Sequence, residues 1–237
     1  MIDWEVMPPM NSSPSPRALW HRPHYTIDQA IALDDAPFGP LHEEFLRWVA
    51  TCTTPGRHVL EMGCSTGRLA IAICRRWPDA RVMASETSTE LLDLARYALE
   101  VERMTHRIQL HHVDYERPFP FPDAYFDTIV AHLMLHRVDR PQEWLAEAIR
   151  CLQPGGSLLL RDWLPGDLAD DGTELPYLCQ EIIPWRSDPL VQQSIWSFEE
   201  IAEWPLPAQA SWQQMERSQG GLVWSGVIRK TDPQHVA

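Results

Sequence analysis

The chain has 237 residues, 44% of them hydrophobic, and a formal charge of −13. That length can bury one substantial core without disulfides, and the acidity disfavours unspecific binding to nucleic acid or anionic membranes, which need clustered Lys and Arg. No apolar run approaches the roughly 20 residues that span a bilayer, and the N-terminus lacks the basic-then-apolar layout of a secretion signal.

In chain order, residues 1–16 are rich in Met, Pro and Ser and read as a mobile tail. Residues 17–56 read as an N-terminal helical cap. Ile27–Leu33 and Leu41–Val49 show helical apolar spacing there, separated by Pro37-Phe38-Gly39-Pro40. From Arg57 strands and helices alternate: strand His58–Glu61, helix Leu69–Trp77 closed by Pro78, strand Arg81–Ser85, helix Glu90–Arg103, strand Ile108–Val113, strand Phe126–Leu133 and helix Gln142–Cys151. Pro154-Gly155-Gly156 ends that helix and Ser157–Arg161 is a fifth strand. Gln209–Glu216 and Leu222–Lys230 read as an antiparallel hairpin joined by Ser218-Gln219-Gly220-Gly221. The stretch from about 163 to 208, rich in Pro, Trp and Asp, reads as an insertion with structure of its own. The pattern predicts an α/β fold: residues 57–237 form a doubly wound, mostly parallel seven-stranded sheet with an antiparallel C-terminal hairpin strand. Ligands of such sheets bind at the carboxyl ends of the strands.

Cysteines 52, 64, 74, 151 and 179 are odd in number and lack C-x-x-C pairs. They read as reduced thiols of a cytoplasmic protein.

The richest segment is Val59-Leu60-Glu61-Met62-Gly63-Cys64-Ser65-Thr66-Gly67-Arg68-Leu69-Ala70. A strand ends in an acid, a Gly-bracketed turn follows, and a helix begins, so backbone N–H groups face a ligand at a helix N-terminus. Three patterns compete. The dinucleotide G-x-G-x-x-G fits poorly, since the glycines are Gly63 and Gly67. The hydrolase elbow G-x-S-x-G fits Gly63-Cys64-Ser65-Thr66-Gly67 letter for letter. However, this loop follows the first core strand, no His-Gly-Gly-type segment precedes it, and His235 lies in a polar tail. The third pattern is an acid followed by G-x-G-x-G, matched by Glu61, Gly63 and Gly67 with Ser65 in the middle position.

Other strand ends decide for the third pattern. Arg81-Val82-Met83-Ala84-Ser85-Glu86 places Glu86 19 residues after Gly67, where a carboxylate can accept from both hydroxyls of a ribose. His111-His112-Val113-Asp114-Tyr115-Glu116 ends a third strand in an acid. The Phe126-Asp127 strand and the Gln153-Pro154-Gly155-Gly156-Ser157 turn complete the series. In these motifs residues 57–161 resemble the catalytic core of the Rossmann-like (class I) S-adenosyl-L-methionine (SAM)-dependent methyltransferases of small-molecule type, and the closing hairpin is similar to the reversed last strands of that fold.

The resemblance implies SAM as cofactor. Glu61 is expected beneath its methionine end, the loop Gly63, Cys64, Ser65, Thr66 and Gly67 around its carboxylate and ribose, Glu86 on the ribose and Asp114 on the adenine amino group. Neighbouring contacts are expected from Thr87, Tyr115, Ala131 and His132. Methyl transfer from a sulfonium is an in-line displacement on an activated carbon, so positioning and exclusion of water supply most of the catalysis. A general base is needed where the acceptor is a hydroxyl, a charged amine or a carbon acid, and His136 is the candidate. His21 and His24 lie in a segment placed to cover the site. His132-x-x-x-His136 has the spacing of two metal ligands on one helical face, but no third ligand accompanies them and no metal is expected.

The expected partner is a small-molecule acceptor. Trp163, Trp185, Trp196, Trp204, Trp212 and Trp224 follow strand five, and some of these rings are expected to line a pocket for an aromatic or cationic group; packing of the hairpin explains them equally well. Neither nucleic acid nor membrane is expected as a partner, and an oligomer is compatible with the sequence. A second functional class stays open: a SAM-binding member of the fold that transfers no methyl, as a cyclase or a regulatory subunit.

Overall fold

The computed structural model describes residues 38–164, 196–218, 221 and 223–233. The expected tail, the expected helix Ile27–Leu33, and His21, His24, Trp185 and His235 lie outside them. Among the described residues no helix is long and apolar enough to cross a membrane.

Helix α1 (Phe38–Cys52) precedes β1 (His58–Met62), α2 (Arg68–Arg76), β2 (Arg81–Glu86), α3 (Thr89–Val101), β3 (Ile108–His112), β4 (Phe126–His132), a 3-10 turn at Leu135–Arg137, α4 (Pro141–Cys151) and β5 (Leu152–Trp163). A short helix α5 (Phe198–Ala202) and strands β6 (Ala210–Ser218) and β7 (Val223–Lys230) follow. One seven-stranded sheet has the order β3-β2-β1-β4-β5-β7-β6. The first five strands pair in parallel, and β7 runs antiparallel to both β5 and β6. The expected doubly wound sheet with its reversed hairpin strand is therefore the one found.

The central strands β1, β2 and β4 are buried on both faces, as near-continuous apolar runs of a covered parallel sheet should be. Because side chains alternate across a strand, the core divides in two. On one face α1, α2 and α3 pack Phe45, Leu46, Ile71, Ile73 and Leu92 against Val59, Val82, Val130 and Leu159. On the other, α4 packs Trp144, Leu145 and Ile149 against Leu60, Ile129 and Leu160, and Ile201 and Trp204 join them.

Most element boundaries shift by one or two residues from the sequence reading, and two differ for a structural reason. Helix α1 starts at Phe38, so Pro40 falls in its first turn, where the missing N–H is no loss because that turn has no intrahelical acceptor for it. Pro154-Gly155-Gly156 does not terminate the helix; α4 ends at Cys151, and the three residues form a bulged start to β5. Register slips there, from Phe126 opposite Leu152 to Thr128 opposite Ser157, and Gly155 takes φ +77°. Its lack of a Cβ is what admits that bend.

Asp127, the second residue of the Phe-Asp strand, ties β4 to the approach of β1. Its carboxylate accepts from Gly56 N at 2.9 Å and His58 N at 2.7 Å. Asp127→Ala orphans both N–H groups and is expected to lower the unfolding free energy by about 2–4 kcal/mol in urea titration. Asp127→Asn keeps one acceptor and should lose clearly less.

Candidate functional site

Strands β2 and β4 lie on opposite sides of β1, and the chain between strands leaves the sheet in opposite directions there. A cleft opens at this switch point, as the fold requires. It measures about 800 Å³ counted to its open mouth and is lined by residues of α1, the β1–α2 loop, the ends of β2 and β4, Tyr115 and the turn after β4.

The loop is fastened before any ligand arrives. Gly63 N and Cys64 N both donate to Ser85 O at 2.9 Å. Tyr115 Oη donates to the same carbonyl at 2.9 Å and lies 2.7 Å from Gly63 N, which donates to it. Burial, and then the charge of Glu86, holds the Tyr115 hydroxyl well above its ordinary pKa, so it stays a donor. Gly63 has φ +75°, and a Cβ there would stand 2.7 Å from Met134 Cβ. Ser65, in the middle position where the family pattern has glycine, also takes a positive φ of 49°. Gly67 caps α2 and donates to Cys64 O at 2.8 Å.

Two carboxylates reach the cleft. Glu61 is 1% exposed at the end of β1. Glu86 is 3% exposed, and its two oxygens are used unequally. Oε1 accepts from Thr87 N at 2.8 Å, Thr87 Oγ1 at 3.1 Å and Ser88 N at 3.2 Å, whereas Oε2 accepts from Ser65 N at 3.0 Å. Oε2 thus retains the capacity for a further donor.

Of the residues expected from sequence, Glu61, Gly63, Cys64, Ser65, Glu86, Thr87, Tyr115 and His132 line the cleft together. Thr66, Gly67 and Ala131 stand behind it, with Thr66 Oγ1 buried and without a hydrogen-bond partner. Asp114 does not line the cleft. It is exposed, accepting from Glu116 N at 3.0 Å and Arg117 Nε at 3.1 Å as a turn-forming Asp does. His42, Leu69, Met134, Arg137 and Val138 line the cleft without having been singled out. The signal for His42 was its place three residues before Phe45 on the apolar face of α1.

His132 and His136 do not share a helical face, because His132 ends β4 and His136 sits in the 3-10 turn. The His132 ring lines the cleft, stacks on Phe45 with centroids 4.6 Å apart, and meets His42 edge-on at 5.3 Å. Burial first, then His42 and Arg161, holds His132 well below the ordinary histidine pKa, and burial lowers His42 to about 4. Both rings are neutral at pH 7.

His136 faces a second, smaller hollow of about 170 Å³ counted to its open mouth. Its Nδ1 lies 2.7 Å from Asp162 Oδ1, and its backbone N donates to Asp162 Oδ2 at 2.8 Å. Trp163, Trp196, Trp204 and Trp224 wall that hollow, and Trp196 Nε1 is buried with no hydrogen-bond partner. Trp212 stays outside it, packed edge-on against Trp224 at 6.3 Å. Asp162 was missed in the sequence, although two adjacent charges, Arg161-Asp162, closing an apolar strand mark that position.

Residues 59–156 match the methyltransferase domain family. The chain is 29% identical over 168 residues to a demethylmenaquinone methyltransferase of Deinococcus radiodurans, covering 69% of this chain and 67% of that protein. It is 28% identical over 134 residues to the ubiquinone/menaquinone biosynthesis C-methyltransferase UbiE of Vibrio campbellii, covering 55% of this chain and 51% of the relative, about half its length. Among solved structures, an Aquifex aeolicus SAM-dependent methyltransferase superposes with a TM-score of 0.66 at 16% identity, covering 87% of this chain and all of that one. The [4+2]-cyclase SpnF superposes with a TM-score of 0.64 at 17% identity, covering 81% of this chain and 80% of that one.

Gly63→Ala forces a Cβ into the left-handed region and against Met134. It is expected to cost about 1–3 kcal/mol of stability, read as a fall in the urea midpoint at unchanged slope.

Proposed function

We propose that the chain, which matches the methyltransferase domain family over residues 59–156 and resembles the Rossmann-like (class I) SAM-dependent methyltransferases, transfers a methyl group from SAM to a small-molecule acceptor. The observation that carries this reading is the single cleft in which Glu61, the Gly63–Gly67 loop and Glu86 converge at the strand switch point. The site suits SAM, whose bound form supplies a methyl carbon activated by its sulfonium charge. Glu61 is a buried carboxylate where a ligand ammonium would be held, and Oε2 of Glu86 has room for a ribose hydroxyl. The β1–α2 loop, pinned by Ser85 and Tyr115, offers a preformed backbone edge with little left to order on binding.

The acceptor reading rests on the second hollow. Its tryptophan walls favour a planar aromatic group, and the quinone-pathway names of the relatives point to the same class. His136 is our candidate base. Asp162 fixes its ring plane through Nδ1.

Calorimetric titration of ligand-free protein with SAM and S-adenosylhomocysteine tests the cofactor; saturable one-site binding is expected, and no binding by folded protein overturns the reading. Glu86→Gln keeps an oxygen for Thr87 and Ser88 but loses the charge. It should weaken SAM about tenfold, the equivalent of roughly 1.5 kcal/mol. With a phenolic acceptor, His136→Asn should lower kcat by about 10²–10⁴ while SAM affinity stays within about twofold. An unchanged kcat would remove His136 from the reaction.

A further inference from the structure

One end of the cleft is walled by rings, not by charges. In the β1–β4 register Met62 stands opposite Ala131, so His132 falls beside Gly63, two residues beyond the buried Glu61. Its ring stacks nearly parallel on Phe45, at an interplanar angle of 16°, and the His42 ring meets it at 63°. His132 Nε2 is buried and has no hydrogen-bond partner. Burial is the main reason that these imidazoles carry no proton charge, and a third element stands behind them. Arg161, at the end of β5, is buried behind them with its guanidinium 5.9 Å from the Phe45 and Trp48 ring centres, 3.2 Å from Glu44 and 2.9 Å from Ser225 Oγ. Among the described residues the ionic lining of the cleft is two carboxylates, Glu61 and Glu86, and one guanidinium, Arg137. Such a cleft favours a cation, and neutral rings lining it offer π-electrons and no opposing charge.

We propose that His42 and His132 form a neutral aromatic wall that recognises the sulfonium charge of the methyl donor, and so distinguishes SAM from the uncharged thioether left after transfer. This rests on the reading of the cleft as a SAM site. When the methyl group leaves with its bond to sulfur broken, the electron pair stays on sulfur and the positive charge passes to the acceptor, which sheds it as a proton. The wall then has nothing left to attract, and product is held less firmly than donor by this part of the site. His42 and His132 are therefore specificity-determining, acting on the charge of the ligand and not on its shape.

The test is the ratio of two affinities, since SAM and S-adenosylhomocysteine share every group but the charged methyl sulfonium. His42→Lys places a cation on the same wall from the half-buried face of α1. Calorimetry should show SAM weakened at least about tenfold and S-adenosylhomocysteine by less than about threefold. His132→Gln removes a π-face without adding charge and should narrow the preference for SAM by about threefold. Circular dichroism confirms the fold of each variant, and His42→Gln replaces His42→Lys if the latter does not fold, with the same threefold narrowing expected. Parallel loss of both ligands, or no change in their ratio, overturns the proposal. Failure of the unmodified chain to bind either ligand overturns the SAM reading beneath it, a different and separable result.

Discussion

The carbonyl of Ser85 holds the site together. It takes three donors, Gly63 N, Cys64 N and the Tyr115 hydroxyl, while its own side chain donates to Glu61 O at 3.0 Å. One peptide group at the end of β2 thereby fixes the glycine loop that follows β1 and the segment that follows β3. Each bond contributes only about 1 kcal/mol net, but an orphaned buried donor costs more than a made bond returns. The loop is consequently rigid before a ligand arrives, and the two acids it separates, Glu61 and Glu86, keep a fixed spacing.

Much of this was legible in the chain. Apolar runs ending in an acid gave the strand ends, and the order of those ends gave the switch point. What local pattern missed was determined by distant neighbours. Asp114 carries the acid expected at the third strand end, yet Arg117 three residues on and the Glu116 N–H claim it for a turn. The next residue, Tyr115, turns inward and reaches Ser85 across 30 positions of sequence. His42 belongs to the cleft because α1 packs on the same sheet face as Val130, which no short motif encodes. Likewise Pro154-Gly155-Gly156 looks like a helix stop, but pairing with β4 draws it into a bulged strand.

Fold alone does not name the chemistry. A methyl-transferring enzyme and a [4+2]-cyclase superpose on this chain about equally well. Function resides in what the strand ends carry and in what packs over them. Here the cleft proposed for the donor is lined by backbone, carboxylates and imidazoles, whereas the neighbouring hollow is lined by indoles around the His136–Asp162 pair. These are two solvents of different polarity, set a few residues apart.

The adjacent charges that close β5 have one further consequence. Strand alternation sends Arg161 to the face of α1 and Asp162 to the face of α4. Arg161 is neutralised by Glu44 and seated on Phe45 and Trp48; Asp162 is satisfied by His136 and the Trp163 N–H, at 2.7 Å. Each charge closes its own circuit on its own side, and the sheet between them acts as an insulating partition. A chain carrying such a partition can accept mutations on one face of the sheet while the charge on the other keeps its partner.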